Sequence, residues 1–177
     1  MSQYDWPIGV GSQDDRDGIL KAVQQIEDEV KKLETEAGIP RSRIVLGGFS
    51  QGGSIALIAA YRKRKDGDSD EPYAGCIALS GWLTLVKDLE ADGMSGKALQ
   101  STPLFWGHGQ YDDKVLFEQQ AFGINKLTEL GMDKIEATQY PMGHESCNRE
   151  MLNMATFLHS VLFQDEGDGD KTTEAEK

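Results

Sequence analysis

The 177-residue chain is predicted to be an α/β protein with a mainly parallel sheet flanked by helices. Three observations lead there. Short apolar runs alternate with stretches of helical periodicity, as repeated βα units do. One run, Gly75-Cys76-Ile77-Ala78-Leu79, is apolar throughout, which suits a strand covered on both faces. The residues with chemistry to offer follow the runs, at the strand ends where open α/β sheets gather their sites.

The elements follow in chain order. Ser12-Gln13-Asp14-Asp15 reads as a helix start, with Ser12 as the cap and acids in the first turn. Ile19, Val23, Ile26, Val30 and Leu33 then share a face. Their 4-3-4-3 spacing lasts barely two heptads, so it describes an amphipathic helix on a sheet rather than a coiled coil. Gly38 ends that helix and Pro40 precedes the strand Arg43-Ile44-Val45-Leu46. An apolar helix follows from Ser54 to Ala60. Arg62-Lys63-Arg64-Lys65 then places cations at a helix C-terminus, before a solvated acidic loop over 66–72. After the strand at 75–79, residues 86–101 read as a polar loop with one helical turn. The next strand ends in Phe105-Trp106-Gly107-His108-Gly109. Phe117, Ala121, Ile124 and Leu127 mark a helix stopped by Gly131, and 134–140 alternates as a strand. Cys147, Met151, Met154, Leu158 and Leu162 mark the last helix.

Composition narrows the function classes. With 38% hydrophobic and 27% charged residues, the chain suits one globular domain with a sizeable core. A net charge of −12 argues against nucleic acid and anionic membrane surfaces as partners. Two cysteines, Cys76 and Cys147, build no disulfide framework, and the first residues carry no secretory signal, so a cytoplasmic location is expected. Residues 164–177 hold six acids, two lysines and little apolar surface, and are expected to be a disordered tail after a domain spanning 1–163.

Gly48-Phe49-Ser50-Gln51-Gly52 carries the functional argument. A G-x-S-x-G turn between a strand and a helix is the setting of a nucleophile elbow, which lifts a seryl hydroxyl above the carboxyl edge of a sheet. The outer glycines let strand and helix approach each other. Such a serine needs a base, and the base needs an orienting carboxylate, in the chain order Ser, acid, His. His159 lies within the last helix and suits a surface or packing role, while His108 suits a loop-holding hydrogen bond. His144, in a loop after the last strand, is the candidate base. The acid is Asp112 or Asp113, which spacing alone does not separate. The Gln51 backbone N–H is the candidate oxyanion donor. Cys147, beside the base, is not needed as a nucleophile when Ser50 stands on an elbow.

Four blocks stand in order: Gly47-Gly48-Phe49-Ser50-Gln51-Gly52-Gly53, Ala78-Leu79-Ser80-Gly81-Trp82-Leu83, His108-Gly109-x-x-Asp112-x-x-Val115 and Met142-Gly143-His144-Glu145. With them the chain, from about Asp5 to Phe163, resembles the acyl-protein thioesterase/lysophospholipase family, also labelled phospholipase/carboxylesterase. The resemblance implies an α/β-hydrolase fold, a triad of Ser50, Asp112 and His144 with Asp112 preferred to Asp113, and no metal or cofactor. It implies S-acylated proteins, lysophospholipids or small carboxylic esters as substrates. Trp82 and Leu83 match the family stretch that lines the acyl site; ordinary core packing is the alternative for each.

One part of the family pattern has no counterpart. Members carry a segment ahead of the helix at 14–37, with early strands and a His-Gly-x-Gly-Asp loop holding the second oxyanion donor, and no stretch here matches it. The expectation is therefore an N-terminally truncated hydrolase lacking the early strands. Its Ser50 strand would be open along one edge, which invites self-association. Losing one oxyanion donor typically lowers turnover on the order of 10²–10³. Two functions follow: a serine hydrolase of acyl esters or thioesters, or a catalytically impaired acyl-binding or regulatory fragment that pairs with another chain through the open edge. A nucleotide-binding Rossmann reading fails for want of G-x-G-x-x-G after a strand.

Overall fold

A computed structural model describes residues 6–64 and 71–163. Most of the acidic loop anticipated after the second helix and the whole 164–177 tail lie outside the described residues. Four strands, β1 (Val45–Phe49), β2 (Gly75–Leu79), β3 (Leu104–Gly109) and β4 (Ile135–Tyr140), form one sheet in the order β1-β2-β3-β4. All three pairings are parallel, with Phe49 opposite Leu79, Leu79 opposite Gly107 and Gly109 opposite Tyr140. The connecting helices are α1 (Arg16–Glu36), α2 (Gln51–Tyr61), α3 (Val86–Asp92), α4 (Gly96–Ser101), α5 (Glu118–Glu129) and α6 (Asn148–Leu162). No helix among the described residues is long and apolar enough to cross a membrane.

Strand alternation divides the core into two layers. Leu46, Cys76, Ala78, Leu104 and Trp106 face one side, beneath α2 and with Ile19, Val23 and Val30 of α1 in the same cluster. Ile77, Leu79 and Phe105 face the other, where Phe157 of α6 stacks on Phe105 at 5.7 Å. Helix α2 is apolar on nearly every face because the sheet covers one side and α1 and α4 cover others.

β1 has β2 as its single neighbour among the described residues, so the anticipated open edge is present. The register assigns its groups. Ile44 O accepts from Ala74 N–H, and Ser50 N–H donates to Leu79 O, so even-numbered residues bond to β2. In a parallel ladder the odd residues Val45, Gly47 and Phe49 then turn their N–H and C=O toward the open side.

Several expectations need correction. Helix α1 is capped by Asp15, whose carboxylate accepts from Gly18 N–H, while Ser12 Oγ instead closes a turn by accepting from Gly9 N–H. Its stripe drifts, so Leu33 is exposed; a straight helix does not keep a strict heptad face. Residues 86–101 hold two short helices, α3 and α4, rather than one turn in a loop. In α5 the buried face is Gln119, Gln120, Gly123 and Leu127, with Ala121 exposed. Trp106 causes this: a Cβ on Gly123 would come within 2.3 Å of its ring, so the bulky indole demands a glycine opposite. Gln120 answers two strand carbonyls, donating to Trp106 O at 2.8 Å and Thr138 O at 3.3 Å.

The basic run after α2 is not wholly a solvated helix end. Arg64 is only 6% exposed in its side chain and pairs with Glu27 of α1 at 3.3 Å. Glu27 also binds Arg41 at 2.9 Å, and Arg41 reaches Glu34 at 3.2 Å and the Tyr73 hydroxyl at 3.2 Å. This network fastens α1 to the 3₁₀ turn at Arg41–Arg43 that feeds β1.

Candidate active site

The Ser50 turn follows from its neighbours. A Cβ on Gly48 would lie 2.3 Å from the carbonyl carbon of Gly52, and one on Gly53 would lie 2.9 Å from Gly48 O. Strand end and first helical turn therefore touch through bare backbone. A Cβ on Gly52 would meet nothing within 4 Å, so the close approach rests on Gly48 and Gly53 and not on the motif's second outer glycine. Ser50, the α2 N-cap, is held at φ 55°, ψ −125°. A non-glycine residue there stores on the order of 1–3 kcal/mol of strain. The surroundings hold it in place: Ser50 N–H donates to Leu79 O at 2.7 Å and Ser50 O accepts from Ser54 N–H at 3.2 Å.

His144 reaches Ser50 from the loop after β4, with Nε2 2.9 Å from Ser50 Oγ. Its Nδ1 lies 2.8 Å from Asp112 Oδ2. The Phe49 ring packs on the imidazole at a centroid distance of 4.9 Å, and Trp6 stands edge-on at 6.3 Å. Asp112 is fixed in turn: its Oδ1 accepts from Lys114 N–H and Val115 N–H, both at 2.9 Å. Asp112 is 5% exposed, whereas the Asp113 side chain is 77% exposed and pairs with Lys114. Geometry thus separates two residues that spacing does not.

His108 is fully buried, and its Nε2 lies 2.9 Å from Val115 O, which ties the end of β3 to the Asp112 turn. Burial pushes its protonation below the ordinary imidazole range, against the pull of Val115 O and Asp112, so it is held neutral. His159 is exposed on α6 and packs against Phe163. Cys147 is partly buried at the α6 N-cap, and Gln51 opens α2 directly after Ser50.

Trp82 and Leu83 are 3% and 4% exposed. Trp82 packs with Ile8 and Val115, and its backbone N–H donates to Ser54 Oγ at 2.9 Å, one helical turn from Ser50. Both residues also line a cleft of about 700 Å³, with Val86 and Phe122 among its apolar walls. Ser50, Asp112 and His144 are not among the residues lining it. Core and cleft roles therefore coexist in these two side chains.

Sequence reasoning missed the backbone contact that sets the height of His144. A Cβ on Gly109, at the end of β3, would sit 2.2 Å from Gly143 O and 2.5 Å from Met142 O. Glycine at the last position of a strand whose neighbour leads into the base loop was the available signal.

A parallel sheet with a seryl residue strained at a strand-helix turn, joined to a histidine and a buried aspartate, defines the α/β-hydrolase class. The profile of the phospholipase/carboxylesterase family matches residues 8–162, and the chain belongs to that family. It is similar to acyl-protein thioesterase 1 of Cryptococcus neoformans var. neoformans, 33% identical over 162 residues, covering 84% of this chain and 64% of that protein. A probable carboxylesterase of Oryza sativa subsp. japonica is 32% identical over 160 residues, covering 90% of this chain and 56% of the relative. Among solved structures, Arabidopsis thaliana SOBER1 superposes with a TM-score of 0.75 at 26% identity, covering 90% of this chain and 71% of that one. Zea mays acyl-protein thioesterase 2 gives 0.73 at 25% identity, with 88% and 69% covered. The chain thus spans less than two thirds of the length of these two curated relatives.

Proposed function

We propose that the chain is a serine hydrolase of carboxylic esters and thioesters, with Ser50 as nucleophile, His144 as general base and Asp112 as the carboxylate that orients it. The observation that carries this reading is the continuous line from Ser50 Oγ through His144 to Asp112, with links of 2.9 and 2.8 Å. His144 Nε2 takes the Ser50 proton as Oγ attacks the acyl carbon. The Gln51 N–H supports the developing oxyanion at the start of α2, where a helix favours negative charge. The protonated imidazole, held by Asp112, gives its proton to the departing thiolate or alkoxide, and an acyl-enzyme remains. Water, deprotonated by His144, then releases the carboxylic acid and restores Ser50.

S-acylated proteins, lysophospholipids and small esters are the substrate classes, and the Trp82–Leu83 cleft supplies apolar wall for an acyl chain. Residues up to 163 act as one hydrolase unit in this reading. The open β1 edge keeps a second reading in view, an acyl-binding or regulatory fragment that self-associates or pairs with another chain there. A complete serine-histidine-aspartate line favours the hydrolase.

The test is labelling of purified protein by a fluorophosphonate probe, beside Ser50→Ala and His144→Ala. We expect labelling of the wild type that both substitutions abolish. A folded, monodisperse wild-type sample that resists the probe refutes autonomous catalysis. An Asp112→Asn variant should keep the fold and lose about 10⁴ in turnover, as loss of the correct imidazole tautomer does elsewhere.

A further inference from the structure

Glu150 is, after Asp112, a second buried acid among the described residues, and the mechanism above does not use it. It stands third in α6, where a glutamate ordinarily turns back to bond the N-cap N–H. Here it does not: the residue is 0% exposed, and neither carboxyl oxygen makes a hydrogen bond of good geometry. Its carboxyl instead lies against β3, where a Cβ on Gly107 would come within 2.2 Å of Oε1. Gly107 is two residues before Gly109, so the carboxyl sits directly below the contact that bounds the His144 loop.

We propose that Glu150 is a positioning residue for His144: seated in the room Gly107 leaves, it fixes the first turn of α6 against β3 and so sets the height of the 141–147 loop. The inference rests on the hydrolase reading for its kinetic consequences only. Gly109 limits the loop at its upper end, and Glu150 anchors it where it becomes helix. Burial favours the protonated form of Glu150, so the contact does not call for a charged carboxylate. Burial raises its proton affinity above the ordinary carboxyl range, against a smaller opposing effect of the Ser146 hydroxyl. The polar groups that act on it are the Ser146 hydroxyl and the Tyr140 phenol; no cationic side chain among the described residues acts on it.

The experiment compares wild type with Glu150→Gln, Glu150→Asp and Glu150→Ala, each first shown to be folded by circular dichroism. Turnover of a short-chain p-nitrophenyl ester is measured together with the low-field proton resonance of His144 Nδ1–H, which reports its bond to Asp112. Glutamine, neutral and of the same reach, should keep kcat within threefold of wild type and preserve the resonance. Alanine and aspartate, which cannot fill the site, should lower kcat about tenfold with KM moved less than twofold, and should broaden the resonance. If alanine does not fold, aspartate decides. A sharp resonance and wild-type kcat in a folded alanine or aspartate variant overturn the proposal. Glutamine as damaging as alanine also overturns it, because the ionised carboxylate would then be what matters. A wild type without turnover counts against the hydrolase reading, and the resonance comparison still judges Glu150.

Discussion

Gly109→Ala tests whether backbone contact positions the base. The added Cβ would lie 2.2 Å from Gly143 O and 2.5 Å from Met142 O, and both are main-chain atoms that cannot rotate aside. Ordinary contact begins near 3.4 Å, so strand and loop must part by about 1.2 Å. The loop is fastened by Gln110 N–H to Tyr140 O at 2.8 Å and Tyr111 N–H to Met142 O at 3.0 Å, and these bonds would stretch with it. His144 is two residues beyond Met142. Carried rigidly outward by that amount, its Nε2 would leave the 2.9 Å distance to Ser50 Oγ and pass out of hydrogen-bond range. A misplacement of about 1 Å in a positioned catalytic group costs on the order of 10² in rate, and overpacking costs about 1–3 kcal/mol in stability. The assay pairs the rate of fluorophosphonate labelling with urea unfolding. Gly96→Ala serves as the control, because a Cβ there meets nothing within 4 Å. A Gly109→Ala protein that labels at the wild-type rate and unfolds at the wild-type urea midpoint refutes the reasoning.

Three further outcomes are expected. Gly48→Ala should destabilise the elbow and abolish labelling, since its Cβ would meet Gly52 backbone at 2.3 Å, whereas Gly52→Ala should keep most labelling; equal effects would show that the motif's glycines act by another means. Arg41→Ala should cost about 3 kcal/mol in urea unfolding, the lower end for breaking a buried pair, because Glu27 keeps Arg64 and Tyr73 as partners; a loss below about 1 kcal/mol would place the network among surface pairs. Two buried groups should pull stability in opposite directions as pH changes. His108, neutral when folded, binds protons more readily unfolded, so its contribution is present above pH 6.5 and lost as pH falls below it. Glu150, protonated more readily when folded, contributes below pH 4.5 and loses that contribution as pH rises through its raised value. Glu150→Gln should therefore gain on wild type as pH rises above 4.5, and a pH-independent difference between the two would exclude the titration.

Much of the site was legible because its chemistry leaves short, ordered marks. Ser50 sits in a strand-turn-helix pattern, and His144 is the one histidine in a loop after the last strand. The three later strands were legible to within a residue because buried parallel strands are apolar runs, whereas β1 starts two residues and ends three residues later than Arg43–Leu46. What escaped depends on partners distant in sequence. Arg64 looked solvated because Glu27 is 37 residues away. Gln120 and Gly123 looked like the polar side of α5 until Trp106 set which face could approach the sheet. Glu150 is a charged residue type in a helix's first turn, with no sequence mark of burial, and only Gly107 on β3 reveals that it points inward. Asp112 and Asp113 are adjacent in sequence and differ by burial, a property of the folded turn.

The order β1-β2-β3-β4 means that each strand docks beside the one just before it in the chain. A sheet of this kind can grow by successive local additions, each closing a loop of modest length. The serine and its base do not share that economy: Ser50 follows the first strand, His144 follows the last, and 94 residues separate them. The elbow can be formed while β4 is still loose, and the serine is then an ordinary alcohol. In the mechanism proposed above, reactivity toward a serine-directed probe therefore requires β4 in place, so the probe would report on completion of the sheet.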